Sequence, residues 1–231
     1  MAASTRSYNE SCALAHSLDL VGERWALLVV RELMFGPRRF TDIQERLSGA
    51  SSSVLTDRLQ RLTESGVVER HRLPPPSASW VYELTEWGAA LEPAVLALAQ
   101  WGRLSPSRSS ELSTTPAAVA MSMLVHFDSA KARGLDVGVD FDIDGDRFRV
   151  VVSDERLRIG PPDGDSADAN VRGSVADVRE LIGIGGAPTR DLAAAGVQIE
   201  GEADAVAQLL ETLTLSAGDG LGALERASVG G

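Results

Sequence analysis

The 231-residue sequence is poor in the residue types on which most enzyme and metal chemistry rests. It has one cysteine, Cys12, and three histidines, His16, His71 and His126, with no neighbouring Ser or Cys arrangement that suggests a nucleophile and its base. A lone thiol cannot close an internal disulfide, which fits a reducing cytoplasm. Such dispersed sulfur and imidazole groups also speak against a zinc site. No run of about 18 apolar residues occurs, so no membrane span is expected. Met1 to Ser7 lacks the apolar core of a secretion signal. Gly183-Ile184-Gly185-Gly186 follows a helical pattern and lacks the spaced third glycine of a dinucleotide fingerprint. Asp140, Asp142, Asp144 and Gly145 open like a calcium loop, but Val151 stands where a bidentate glutamate is needed. Their alternation with apolar residues reads as a solvated strand face. Neither catalysis, nor a metal, nor a cofactor is expected.

Lysine is absent from residues 1–105, where 11 arginines face 12 acids for a net charge of −1. Residues 106–231 hold 11 basic and 21 acidic side chains, a net of −10, and so supply nearly all of the chain's −11. The two parts differ in kind. Between Arg38 and Arg72, seven arginines against five acids make a weakly basic patch.

The polar, Pro/Ser-rich stretch 105–116 reads as a linker, and residues 216–231, rich in Gly and Ala, as a flexible tail. A domain over 1–104 and another over 117–215 are expected. In the first, Leu14, Leu18 and Val21 suggest a helix, and Arg24 to Phe35 carries Trp25, Leu28, Val29 and Leu33 on one face up to Gly36-Pro37. Thr41-Asp42-Ile43-Gln44 has capping-box spacing for a short helix through Leu47. Ser51 can cap the next helix, whose Leu55, Leu59 and Leu62 form a stripe ending at Ser65-Gly66. The period then becomes alternating: Val67 to Leu73 and Trp80 to Leu84 read as strands joined by a proline-rich loop. Thr85 can cap a further helical segment in which Pro93 starts or kinks a helix carrying Val95, Leu98 and Trp101. Three helices followed by a hairpin is the order of a winged helix.

With Leu55 as the buried direction, a step of about 100° per residue puts Ser53, Asp57, Gln60 and Glu64 opposite. Ser52, Ser53, Thr56, Asp57 and Gln60 are expected nearest DNA base edges, with Ser51 at their N-terminal end and Arg58 and Arg61 nearer phosphate. Arg38 and Arg39, before the helix pair, and Arg70 and Arg72, on the wing, suit backbone contacts that position without reading sequence. A polar outer face alone marks only a solvated helix; the helix–turn–helix–hairpin order gives it the second meaning.

Trp25, the run Gly36-Pro37-Arg38-Arg39-Phe40-Thr41-Asp42-Ile43, Leu55-Thr56-Asp57-Arg58-Leu59, Glu64-Ser65-Gly66-Val67-Val68-Glu69-Arg70 and Tyr82-Glu83-Leu84-Thr85-Glu86-Trp87-Gly88, with Leu91, Pro93 and Trp101-Gly102, resemble an HxlR-type regulator over about residues 8–104. The resemblance implies a homodimer assembled through the first and last helices and binding inverted-repeat operator DNA. Cys12 falls near the position where such proteins often carry a cysteine, which in some members senses oxidants or electrophiles, although Ala13 replaces the usual proline. As a residue alone, it reads first as a small buried packing side chain.

After the linker, Met121 to Phe127 is an apolar helical segment, and Val137, Val139, Phe141 and Ile143 alternate with polar residues before a Gly145-Asp146 turn and a second alternating run. Further strand patterns at 157–159, 169–171 and 197–199 mix with helical ones at 175–184, 189–195 and 203–214. This is an α+β domain with a mostly antiparallel sheet. Met123 to Phe127, Ala167 to Gly173 and Gly196 to Ala203 resemble a sterol-carrier-protein-like domain. That resemblance implies an apolar cavity for a hydrophobic ligand, lined by Met123, Phe127, Phe141, Leu181, Ile184, Leu192 and Leu210, each of which is also an ordinary core residue. The leading expectation is a cytoplasmic, dimeric regulator of double-stranded DNA. The alternatives are a lipid carrier whose winged helix serves dimerisation, and an enzyme built on the second domain.

Overall fold

The change of hydrophobic period at Gly66 is where the chain turns from helices to strands. In the computed structural model, which describes residues 7–107, 113–164, 166–183 and 196–213, the chain divides into two units, 1–95 and 96–231. The first unit runs α1 (Ala13–Val21), α2 (Ala26–Leu33), α3 (Phe40–Arg46), α4 (Ser52–Glu64), β1 (Val68–Arg72), β2 (Trp80–Leu84) and α5 (Glu86–Ala89). α6 (Glu92–Arg103) starts at the Pro93 break and contains the division between the units. Strands β1 and β2 pair antiparallel, with Glu69 opposite Glu83 and Arg70 opposite Tyr82.

Val29, Val30, Leu33, Ile43, Leu55, Leu59, Leu62 and Val81 are fully buried and form this unit's core. The helical spacing misassigns Leu28, which is exposed while Val30 packs inward. Leu14 and Leu18 also point outward, leaving Ala15 and Val21 as the buried residues of α1. The cap of α3 lies earlier than Thr41: the Asp42 carboxylate accepts from the Arg39 N–H at 3.2 Å. That shifts the helix start to Phe40, because a carboxylate satisfies an N-terminal amide three residues before it.

Thr85 ties the wing's exit to α4's end. Its hydroxyl donates to the Gly66 carbonyl at 2.6 Å and accepts from the Gly88 N–H at 3.0 Å. A Cβ on Gly88 would sit 1.9 Å from the Val67 carbonyl oxygen, a backbone atom that cannot swing aside. Gly88→Ala is therefore expected to destabilise the chain by about 3 kcal/mol. Urea unfolding checks this, and a wild-type midpoint would contradict the packing described.

In the second unit, α7 (Pro116–His126) begins after Thr115, whose hydroxyl accepts from the Ala118 N–H. A five-stranded sheet follows, in the order β5 (Arg156–Gly160), β4 (Asp146–Ser153), β3 (Val137–Ile143), β6 (Ala169–Gly173), β7 (Gln198–Gly201). Only the β3–β6 pairing is parallel. α8 (Val175–Leu181) and α9 (Ala203–Glu211) pack on this sheet, against the face carrying Val139, Phe141, Ile143, Phe148, Val150 and Val171. The expected 189–195 helix lies outside the described residues.

On the opposite face, the solvated surface expected of Asp140, Asp142 and Asp144 fails at Asp140, while Asp142 is half-buried and Asp144 exposed. Asp140 is buried against the guanidinium of Arg149, its register partner on β4. Asp142 accepts from the Gly145 N–H at 3.0 Å and pairs with Arg172 at 3.3 Å. Asp144, at the hairpin tip, accepts from the Val175 N–H at 3.1 Å. Each acid is committed to a local structural partner.

Candidate nucleic-acid interface

The Ser51 hydroxyl accepts from the Val54 N–H at 3.3 Å, satisfying one of the four amides that an α-helix leaves unpaired at its start. α4 then runs for 13 residues, about 20 Å of rigid rod. α1, α2 and β1 hold it from behind through Leu55, Leu59 and Leu62. Ser51, Ser52, Ser53, Thr56, Asp57 and Gln60 are all exposed. Their polar groups are held locally: the Thr56 hydroxyl donates to the Ser52 carbonyl at 2.8 Å, and the Gln60 amide donates to Glu64 at 2.8 Å. A major groove about 12 Å wide accepts such a helix, with small hydroxyl-bearing residues leading.

Five of the six expected arginines reach solvent. Arg39, Arg70 and Arg72 are exposed, and Arg38 and Arg61 half-buried. Reciprocal backbone hydrogen bonds between Arg38 and Tyr82, at 2.9 and 2.8 Å, fasten the approach to α3 onto the wing. Arg70 lies over the rings of Trp80 and Tyr82, 4.8 and 5.8 Å from their centroids. That stacking fixes the wing's guanidinium at low entropic cost. Arg61 is ion-paired to Asp57 at 3.1 Å, one turn earlier on α4.

Arg58 is a correction. Its side chain is turned into the fold, 7% exposed, with a 3.5 Å contact to Glu23. Three residues after Leu55, it points about 60° from the buried direction, too close to the core to reach phosphate. Val54 and the Trp80–Tyr82 pair were missed. Val54 is an exposed apolar residue among the leading serines of α4, suited to a thymine methyl. The aromatic pair was legible in the alternation of β2 opposite Arg70.

Cys12 is exposed and sits at the N-cap of α1, so the packing-residue reading does not hold. Hydrogen bonds from the Ala15 and Leu14 backbone amides hold its thiol below the ordinary value. Alkylation of Cys12 by iodoacetamide is expected to reach half its limiting rate at a lower pH than in an unstructured peptide with the same sequence around the thiol. A midpoint equal to or above that of the peptide would remove the helix-terminus effect.

In the second unit, Met123, Phe141, Leu181 and Leu210 are buried and Phe127 is half-buried. Ile184 and Leu192 lie outside the described residues. A groove of about 240 Å³ opens on the polar side of the sheet, bordered by Asp140, Asp142, Arg147, Asn170, Arg172 and Glu200.

Residues 20–110 match the model of the HxlR-like helix-turn-helix family. An HTH-type transcriptional regulator of Mycobacterium tuberculosis is 40% identical over 103 residues, which make up 44% of this chain and 65% of that one. The chain therefore spans less than two thirds of that relative's length. The HTH-type transcriptional regulator YodB of Bacillus subtilis is 36% identical over 94 residues, 40% of this chain and 84% of that one. A solved structure of quinone-bound YodB matches at 32% identity with a TM-score of 0.35, over 40% of this chain and 97% of that one.

Proposed function

Because the chain belongs to the HxlR-like helix-turn-helix family of transcriptional regulators, we propose that it binds inverted-repeat operator DNA as a homodimer and regulates transcription in the cytoplasm. The observation that carries this reading is the exposed row of Ser51, Ser52, Ser53, Thr56 and Gln60 on α4, capped by Ser51, in a unit that also leaves Arg39, Arg70 and Arg72 exposed. Those arginines position the helix on phosphate, and Ser52, Ser53, Thr56 and Gln60 read base edges. Arg61 reaches phosphate on exchanging Asp57 for it. Leu14 and Leu18 on α1, and Leu98 and Trp101 on α6, are apolar rows facing outward. Such exposed rows support pairing through the first and last helices. Among the described residues no helix is long and apolar enough to cross a membrane, and the proposal assigns the chain no catalytic chemistry.

The second unit is proposed to be a sterol-carrier-protein-like domain that holds a hydrophobic ligand and biases the separation of the two winged helices. The mostly antiparallel sheet with helices on its apolar face supports this part. A ligand acts on operator affinity only by its differential affinity for the two arrangements. The alternative, a carrier whose winged helix only dimerises, leaves the exposed arginines and the serine row of α4 without a role.

A gel shift with the region upstream of the chain's own gene separates the two readings. Retardation by the wild type, weakened by Arg39→Ala with Arg70→Ala while the dimer persists, is expected of the regulator. A chain that leaves this DNA unretarded fits the carrier.

A further inference from the structure

The wing pairs two acids face to face. Glu69 on β1 and Glu83 on β2 are direct register partners, and like charges directly opposite on an antiparallel pair are destabilising. His71 lies two residues beyond Glu69, on the same side of the ribbon, because side chains alternate along a strand. Its Nε2 is 3.5 Å from a Glu83 carboxylate oxygen. Ligating atoms of Glu69, His71 and Glu83 all lie within 4.8 Å of one another. Arg70 and Arg72, the wing's cations, belong to the other side with Trp80 and Tyr82 and so do not neutralise the pair.

From this juxtaposition we propose that Glu69, His71 and Glu83 bind a zinc ion, and that its binding strengthens the wing's hold on DNA. Zinc with imidazole and carboxylate ligands at about 2.0–2.2 Å in a tetrahedral array separates those ligands by roughly 3.3–3.6 Å. The His71–Glu83 spacing falls inside that window. Glu69 is an exposed side chain, free to rotate the remaining distance of about 1 Å, and water completes the shell. An imidazole ligand favours zinc-class ions over calcium or magnesium, which take all-oxygen shells. The histidine and cysteine count in the sequence gave no hint, since Glu83 enters only through the hairpin register. Across the ribbon from Arg70 and Arg72, the two glutamates still repel phosphate through the wing, and a divalent cation between them turns their face from negative to neutral. The coupling to DNA rests on the regulator reading; the metal site does not.

Calorimetric titration of the full-length, untagged chain with zinc chloride tests the site, in a Cys12→Ser background so that the exposed thiol does not compete. Saturable binding of one ion per chain is expected, weakened at least about ten-fold by His71→Gln or by Glu83→Gln. Glu83→Gln also removes the like-charge pair, so its melting temperature without zinc should equal or exceed the parent's, which excludes misfolding as the cause. No saturable binding, or binding that both variants leave unchanged, overturns the site. In DNA titrations at low salt, zinc should tighten the parent's binding roughly ten-fold and leave both variants unaffected. Zinc bound at the wing without a change in DNA affinity overturns the coupling alone. Absence of DNA binding in every condition sinks the regulator reading while the zinc stoichiometry stands.

Discussion

Replacing Leu14 and Trp101 by aspartate together is expected to leave the proposed dimer a folded monomer and to weaken the proposed operator binding by roughly 100-fold or more. Both side chains stand largely in solvent, at 66% and 69% exposure, so the substitutions remove no core contact of the chain itself. In a paired interface each carboxylate would be buried without a partner, which opposes association strongly. Once apart, each winged helix binds one half-site alone and loses the effective concentration that its twin provides. Sedimentation equilibrium and DNA titration of the same preparation check the two halves of the claim. A variant that stays dimeric would move the interface away from α1 and α6. A monomer with wild-type affinity would remove the inverted-repeat reading.

Asp140→Ala is expected to destabilise the second unit by about 3 kcal/mol, because it leaves the Arg149 charge buried beside an empty place. The guanidinium also contacts Asp163 at 3.2 Å, but that carboxylate is itself largely exposed and replaces the buried one poorly. Asp140→Ala combined with Arg149→Met should recover most of the loss, since an apolar pair has no uncompensated charge. Hydrogen exchange at β3 and β4 amides in the full chain reads this directly. A double variant no more stable than the single one would show that the ion pair itself, rather than the orphaned charge, sets the energy.

The elements that could be read from the sequence are those whose local signals agree. α4 combines a serine cap, a 3.6-residue apolar period and a Ser-Gly stop, and it forms from Ser52 to Glu64 as that pattern requires. β1 and β2 follow from the switch to a two-residue period, and their register then sets Arg70 on the two rings of the wing. What could not be read depends on partners distant in sequence. Arg58 sits at the margin of α4's apolar stripe, and Glu23, thirty-five residues earlier, draws it inward. Leu14 and Leu98 carry helical apolar spacing, but spacing alone does not distinguish the chain's own core from a second copy. Asp140 alternates like a wet-face residue, yet the cross-strand Arg149 covers it. Strand order in the second unit brings β6 beside β3 in parallel, a pairing made by a long crossover that no local pattern announces.

In the proposed regulator, α4 and its arginines sit on duplex DNA although two copies of the chain together carry a charge near −22, twice that of one. Fluorescence anisotropy of labelled upstream DNA, titrated with the wild-type protein over a series of salt concentrations, decides this. With three or four phosphates neutralised per subunit, log K against log salt should fall with a slope of roughly −5 to −7. Arg39→Ala should make that slope shallower by about 2 per dimer. A slope near zero, or one unmoved by losing Arg39, would contradict the account.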